Sequence, residues 1–134
     1  MNLIGEVHHI GYLVDDIIKS LDAFKKLGWE EITADIYYCD IRNVKCSFLK
    51  KGNSLIEIME AGSGSEFFPL SKRYKNTPYH VCYLVDNIKS AIEFLSGEGF
   101  LLFKPEEPAP AIAETAVVAF LMHSKIGIVE LLQM

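Results

Sequence analysis

Residues 8–29 read HHIGYLVDDIIKSLDAFKKLGW, and residues 79–100 read YHVCYLVDNIKSAIEFLSGEGF. Aligned at a shift of 71, the two stretches share seven identical residues, which include His9 with His80 near their starts. Self-similarity at a fixed spacing is the signature of a repeated structural unit. The sequence therefore predicts a chain built from two copies of one module.

The segments that follow repeat as well. Residues 47–60 read SFLKKGNSLIEIME, and residues 119–133 read AFLMHSKIGIVELLQ. Phe48 and Leu49 match Phe120 and Leu121 at a shift of 72. After one inserted residue, Glu57 matches Glu130 at a shift of 73. Each half thus carries one histidine near its start and one glutamate near its end, in matching places.

The first copy predicts one strand, one helix and three more strands. Alternating β-branched and aromatic residues indicate the opening strand, and an apolar stripe at helical spacing indicates the helix. Asp15 or Asp16 is a suitable helix cap, and Gly28 is a suitable end. The predicted elements are a strand at Val7–Val14, a helix at Ile17–Leu27, and strands at Glu31–Asp35, Val44–Lys50 and Ser54–Met59.

The second copy repeats this plan, with Asn87 as the helix cap. Its predicted elements are a strand at Val81–Val85, a helix from Ile88 to Leu95, and strands at Leu101–Lys104, Ala116–Met122 and Gly127–Leu132. Glycine, serine and proline predict a linker or loop at 62–78, and proline predicts a second loop at 106–115. We therefore expect an α+β fold in one domain of two tandem βαβββ modules: residues 1–61, a linker at 62–78, and residues 79–134.

Strand alternation predicts where the repeated polar residues point. Residues i and i+2 of a strand share a face, so Ile10, Tyr12 and Val14 should pack on the helix, while His9 faces the opposite side. His80 repeats this orientation. Glu57 and Glu130 each lie between two aliphatic residues whose side chains take the helix side.

These four residues predict a metal site. A carboxylate inside so apolar a strand is costly to bury unless it is paired or bound to a metal. Imidazole and carboxylate together suit zinc, nickel, cobalt, manganese or iron better than calcium. The in-register pairs favour a His₂Glu₂ site made by His9, Glu57, His80 and Glu130. His8, which points to the other face, and His123, in a turn, are not expected to be ligands, and Cys82 is expected to be a small apolar residue.

Composition narrows the class of protein. The chain has 134 residues, of which 50% are hydrophobic and 23% charged, and its net charge is −5. An acidic chain with only one short basic cluster is a poor nucleic-acid binder. No apolar run approaches the roughly 20 residues of a membrane helix. The opening MNLIGEVHH lacks the basic and apolar pattern expected of a secretory signal. Three cysteines without CxxC spacing indicate reduced thiols, so we expect a cytoplasmic protein with no membrane or nucleic-acid partner.

The stretches VHHIGYLVDDI, SLIEIME, PYHVCYLVDNI and VVAFLMHSKIGIVELLQ together resemble the vicinal oxygen chelate superfamily over essentially the whole chain. The resemblance is strongest to its branch of glyoxalase I-like and methylmalonyl-CoA epimerase-like enzymes. It implies the glyoxalase/bleomycin resistance/dioxygenase fold, in which two modules curl into a cup-shaped half-barrel around one divalent metal ion (nickel, zinc, cobalt or manganese). The family's metal ligands match His9, Glu57, His80 and Glu130.

The resemblance also implies a chemistry and a partner. Glu130 matches the glutamate that serves glyoxalase I as both metal ligand and proton-transfer group, which makes it the expected catalytic residue. The metal would stabilise an enediolate while a proton beside a carbonyl is removed. The leading hypothesis is a glyoxalase I-like lyase or isomerase that acts on a thiol adduct. The family's frequent dimerisation and the high apolar content favour a homodimer.

Two alternatives stay open. The first is a methylmalonyl-CoA epimerase-like enzyme with an acyl-CoA substrate. Epimerases of this branch carry a second acid/base glutamate a few residues before the strand that reads VKCSFL here. That place falls at or near Ile41, with Asp40 one residue away. The second alternative is a non-enzymatic drug- or metabolite-binding protein of the same fold. A ring-cleaving dioxygenase is less favoured, because its iron uses two histidines and one carboxylate.

Overall fold

The structure is a computed structural model that describes residues 3–32, 36–40 and 42–134. It divides into two compact units. One comprises His9–Tyr79 and is called the N-terminal unit below. The other comprises the described residues up to His8 together with His80–Met134 and is called the C-terminal unit.

The N-terminal unit is a small sheet with a helix against one face. Strand β5 lies between β4, to which it is antiparallel, and β1, to which it is parallel, while β2 and β3 both pair with β4. The elements are β1 (Val7–Leu13), whose residues from His9 onward belong to this unit, α1 (Ile17–Lys26), β2 (Glu30–Glu31), β3 (Tyr37–Cys39), β4 (Val44–Lys51), β5 (Ser54–Ala61) and α2 (Phe68–Arg73).

The C-terminal unit repeats this arrangement. Strand β6 is parallel to β9, β8 is antiparallel to β9, and β7 pairs with β8 at the end of the strand order. The elements are β6 (Thr77–Leu84), α3 (Ile88–Gly97), β7 (Leu101–Pro108), β8 (Val117–His123) and β9 (Gly127–Gln133). The predicted α+β fold of two tandem βαβββ modules is confirmed.

The two long helices begin and end in the same way. The side chains of Asp16 and Asn87 each accept a hydrogen bond from the backbone N–H three residues on, at 3.0 Å in both helices. Such caps satisfy an N–H group that has no partner within the helix. Past each helix a glycine, Gly28 or Gly99, adopts φ of +94°, a conformation that side chains disfavour. The predicted boundaries follow from these local preferences.

Each helix packs on the face of its sheet that the alternation predicted. In the N-terminal unit, Ile56 and Ile58 of β5 pack with Ile17 and Leu21 of α1. In the C-terminal unit the equivalent cluster joins β9, β8 and α3. Aliphatic residues on both sides of Glu57 and Glu130 are thereby drawn to the helix layer, which turns each carboxylate to the opposite face. Tyr12 also packs on the helix side as predicted, whereas Ile10 is exposed.

Several expected boundaries are wrong. Residues 62–78 were expected to be linker or loop, but Phe68–Arg73 form α2. Its Pro69 suits the first helical turn, which needs no proline N–H. The loop expected from residue 106 begins later, because β7 continues to Pro108. The strand expected at Glu31–Asp35 is present only as β2, and residues 33–35 lie outside the described residues.

The cysteines and the helix lengths complete the description of the fold. Cys39, Cys46 and Cys82 are buried free thiols. Among the residues described, no helix has the length and apolar content to cross a membrane.

Candidate metal centre

In the N-terminal unit, neighbouring strands bring His9 to Glu57. The register pairs Gly11 of β1 with Glu57, and His9 lies two residues before Gly11 on the same face. His9 Nε2 is 3.5 Å from Glu57 Oε1, and both side chains are buried. Phe48, opposite Glu57 on β4, contacts the edge of the His9 ring with the centroids 5.4 Å apart.

The C-terminal unit builds the same arrangement from its own strands. Cys82 of β6 pairs with Glu130, and His80 lies two residues before Cys82. His80 Nε2 is 2.9 Å from Glu130 Oε1, with both side chains almost fully buried. Phe120, opposite Glu130 on β8, packs edge-on against His80 at a centroid distance of 5.6 Å. The duplication therefore preserves a histidine, a glutamate and a phenylalanine as one structural group.

The donor atoms of each pair fit a divalent transition metal. Such ions bind imidazole nitrogen and carboxylate oxygen, and a buried carboxylate needs a positive or hydrogen-bonding partner. Each pair offers one nitrogen and one carboxylate on the side of its sheet away from the helix. The packed phenylalanine limits the rotation of the imidazole, which holds its Nε2 towards the carboxylate. His9, Glu57, His80 and Glu130 are thus suitable metal ligands within their two pairs.

The other two histidines, Cys82 and Asp40 belong to neither His–Glu pair. His8 is half-buried and alternates to the other face of β1, and His123 lies at the end of β8, where its Nδ1 accepts a hydrogen bond from Lys125 N–H at 3.1 Å. Cys82 is fully buried beside Glu130. Asp40 is exposed in the turn after β3, and Ile41 lies outside the described residues.

The sequence reasoning missed an ion pair in β7. Lys104 Nζ lies 3.6 Å from Glu107 Oε2, and the side chains are only 14% and 12% exposed. The signal was present as the segment KPEEP, because proline and paired charges inside a strand indicate an edge strand or a bulge. Its charged residues were instead expected at the end of a strand or in a loop.

Comparison with known proteins agrees with this architecture. The family model described as the glyoxalase/bleomycin resistance protein/dioxygenase superfamily matches residues 8–120. No curated protein matches the chain.

Solved structures with the same fold include proteins of several bacteria. A hypothetical protein of Bacillus halodurans C-125 is 22% identical, with a TM-score of 0.82 and coverage of 96% of this chain and 94% of that one. Methylmalonyl-CoA epimerase from Mycobacterium tuberculosis is 16% identical, with a TM-score of 0.79 and coverage of 99% and 90%. A Streptomyces coelicolor methylmalonyl-CoA epimerase variant in complex with 2-nitronate-propionyl-CoA is 15% identical, with a TM-score of 0.78 and coverage of 97% and 94%.

The structural likenesses establish the fold, and the family match extends from the first copy of the repeat into the second, as far as residue 120. The resemblance seen in the repeated strand and helix motifs is confirmed. This chain belongs to the glyoxalase/bleomycin resistance protein/dioxygenase superfamily, also called the vicinal oxygen chelate superfamily.

Proposed function

We propose that the protein is a metal-dependent enzyme that removes a proton from a carbon beside a carbonyl group. In this proposal His9, Glu57, His80 and Glu130 hold one divalent ion, and Glu130 is also the catalytic base. The observation that carries the proposal is the buried His80–Glu130 pair, with 2.9 Å between Nε2 and Oε1, together with its counterpart His9–Glu57. Two equivalent pairs of suitable donors support a His₂Glu₂ site.

Each protein group has a defined task in this chemistry. A divalent ion at the site supplies a Lewis acid that stabilises negative charge on a substrate oxygen. Glu130 accepts the proton through a carboxylate oxygen and holds it until it is returned. Burial among Phe120 and the aliphatic residues of β8 and β9 excludes water from this oxygen. Phe48 and Phe120 restrain the two imidazoles.

An acyl-CoA epimerase is the reaction class that the comparisons favour. Methylmalonyl-CoA epimerases are among the solved structures with the same fold, and one of them is in complex with a propionyl-CoA derivative. In this class the base takes the proton from the carbon next to the thioester carbonyl, and a proton is returned to the opposite face. The net reaction inverts that carbon and changes no other bond.

A glyoxalase I-like reaction is the second candidate, and one observation favours it. Inversion needs two proton-handling groups, one on each face of the substrate, whereas transfer between neighbouring carbons needs one main base. Asp40, the nearest carboxylate to the place of the epimerases' second glutamate, is exposed in its turn. Glu130 alone is sufficient for moving a proton between the two carbons of a hemithioacetal.

The two reactions are separated by isotope exchange. The purified full chain is loaded with nickel, zinc, cobalt or manganese and incubated with methylmalonyl-CoA in deuterated water. Separate samples receive methylglyoxal with several thiols. We expect metal-dependent deuterium incorporation at the carbon between the two carbonyl groups of methylmalonyl-CoA, measured by mass spectrometry, and loss of this exchange when a chelator is added.

Each other result has a distinct meaning. Thioester formation from methylglyoxal without exchange would replace the epimerase with the glyoxalase I-like reaction. Tight binding of a ligand without turnover of either compound would favour a binding protein of this fold. Exchange that continues at an equal rate in the chelated protein would contradict the metal requirement.

We also propose that the protein is a cytoplasmic homodimer. Leu101 of β7 and Met122 of β8 face each other across the two strands, and both are exposed. Exposed apolar residues on a terminal strand favour association with another sheet edge, and the three reduced thiols support a reducing compartment. Analytical ultracentrifugation should give about twice the 15.1 kDa chain mass. A mass of one chain at micromolar concentration would contradict the dimer.

A further inference from the structure

The C-terminal unit holds an apolar cavity on the helix side of its sheet. The cavity has a volume of about 110 Å³ and is lined by aliphatic and aromatic residues. Its walls include Leu95 of α3 and two residues of β9, Val129 and Leu131. Because Val129 and Leu131 alternate with Glu130, the cavity lies against the face of β9 that is opposite to the Glu130 carboxylate.

The repeat shows how the same space is filled in the N-terminal unit. There, the ring of Phe24 packs edge-on against Tyr12, with the centroids 5.3 Å apart, and against Trp29, with the centroids 6.2 Å apart. At the shift of 71, the second copy has the smaller Leu95 in place of Phe24 and the smaller Phe100 in place of Trp29. The cavity therefore corresponds to volume that aromatic side chains occupy in the first copy.

An aromatic ring is the group that suits this cavity. Tyr83, the counterpart of Tyr12, and Phe100 both line it, so a ring between them meets the kind of neighbours that Phe24 meets in the first copy. Edge-to-face contacts are a preferred arrangement of aromatic pairs.

The size of the cavity sets the size of the ligand. An apolar cavity of about 150 Å³ inside a protein binds benzene, so a volume of about 110 Å³ suits one ring rather than a fused pair. Ile126 also lines the cavity, and its side chain is 64% exposed. The cavity thus reaches the surface beside Ile126, where a substituent on the ring is able to extend into water.

We propose that this cavity binds a small molecule that carries a single, unfused aromatic ring. Burial of apolar surface and edge-to-face contacts with Tyr83 and Phe100 hold the ring. Binding requires no metal ion, because the cavity and the Glu130 carboxylate lie on opposite faces of β9. The site goes beyond the proposed function, since no step of that reaction uses the helix side of the sheet.

Fluorobenzene is a direct probe, because its fluorine resonance reports binding. The full chain is titrated with fluorobenzene, with and without a chelator. We expect saturable binding with a Kd of about 1 mM or lower, which is ordinary for so small a ligand, and no effect of the chelator. In proton–carbon spectra the methyl groups of Leu95, Val129 and Leu131 should shift. Those of Ile56 and Ile58, which pack on α1 at the corresponding places of the N-terminal unit, should not.

The repeat also supplies the test variants. Leu95→Phe restores the residue of the first copy, so it should weaken fluorobenzene binding by about tenfold or more. It should also preserve or raise the melting temperature, because filling a cavity is commonly stabilising. Phe100→Trp fills the same space from the position of Trp29 and provides a second test if the first variant does not fold. Phe94→Leu, at an exposed residue of the same helix, should bind as the wild type does.

Several results would overturn the proposal. They are the absence of saturable binding to the wild type, unchanged affinity in the cavity-filling variants, an equal loss in Phe94→Leu, and shifts confined to methyl groups outside the cavity. Binding that disappears on chelation would assign the ring to the metal centre and would overturn the proposal as well. Metal-dependent deuterium exchange is measured separately, so the proposed function stands or fails independently of this site.

Discussion

Replacing Glu130 with glutamine should lower turnover by about 10² to 10⁴-fold, the usual effect of removing a general base. Glutamine keeps the shape of the side chain and a carbonyl oxygen but cannot accept the proton. Because Glu130 acts on the reacting carbon, substrate affinity should change much less than the rate. Deuterium exchange under single-turnover conditions measures the rate, and calorimetry measures the affinity.

The repeat provides a matched control for this variant. Glu57 occupies the equivalent buried position in the N-terminal unit, where it lies beside His9, and Phe48 packs on His9. Glu57→Gln removes the same charge from the proposed metal site without removing the base, so its rate should fall less than that of Glu130→Gln at equal metal content. Equal losses in the two variants would contradict the assignment of Glu130 as the base.

Replacing His9 and His80 together with alanine should abolish metal binding and the stability that metal confers. An ion that binds only the folded chain at a hundredfold excess over its Kd raises the free energy of unfolding by about 2.7 kcal/mol. At roughly 4 °C for each kcal/mol in a chain of this size, the melting temperature of the wild type should rise by roughly 10 °C when metal is added. The double variant should show no such rise, and elemental analysis should find no bound ion.

The metal-induced shift, rather than the absolute melting temperature, is the informative measurement. Truncating a buried imidazole leaves a cavity and lowers stability with or without metal, so each variant is compared with its own chelated sample. His123→Ala is the control, since His123 belongs to neither pair and its Nδ1 accepts a hydrogen bond from Lys125 N–H. Stoichiometric metal in the double variant, or an equal loss in His123→Ala, would refute the proposed ligand set.

The helix termini show where local sequence is informative and where it is not. The caps Asp16 and Asn87 were predictable because each acts within its own turn, three residues from its donor. The sequence did not predict that a second side chain accepts a hydrogen bond at the start of each helix. Glu60 accepts from Ile17 N–H at 3.0 Å and Gln133 from Ile88 N–H at 2.8 Å, across 43 and 45 residues. These bonds depend on how the last strand of each module lies beside its helix.

Some features of the candidate site were likewise predictable from local sequence, and others depend on the tertiary structure. The sequence alone determined the duplication, the long helix and main strands of each copy, and the faces of the two histidines and two glutamates, because these follow from periodicity over a few residues. It did not predict the short helix α2 or the short strand β3. Only the tertiary structure decided that Phe48 and Phe120 pack on the imidazoles and that Lys104 meets Glu107 in β7. Strand pairing and bulges set those contacts, and a one-residue change of register would turn the same side chains to the other face of the sheet.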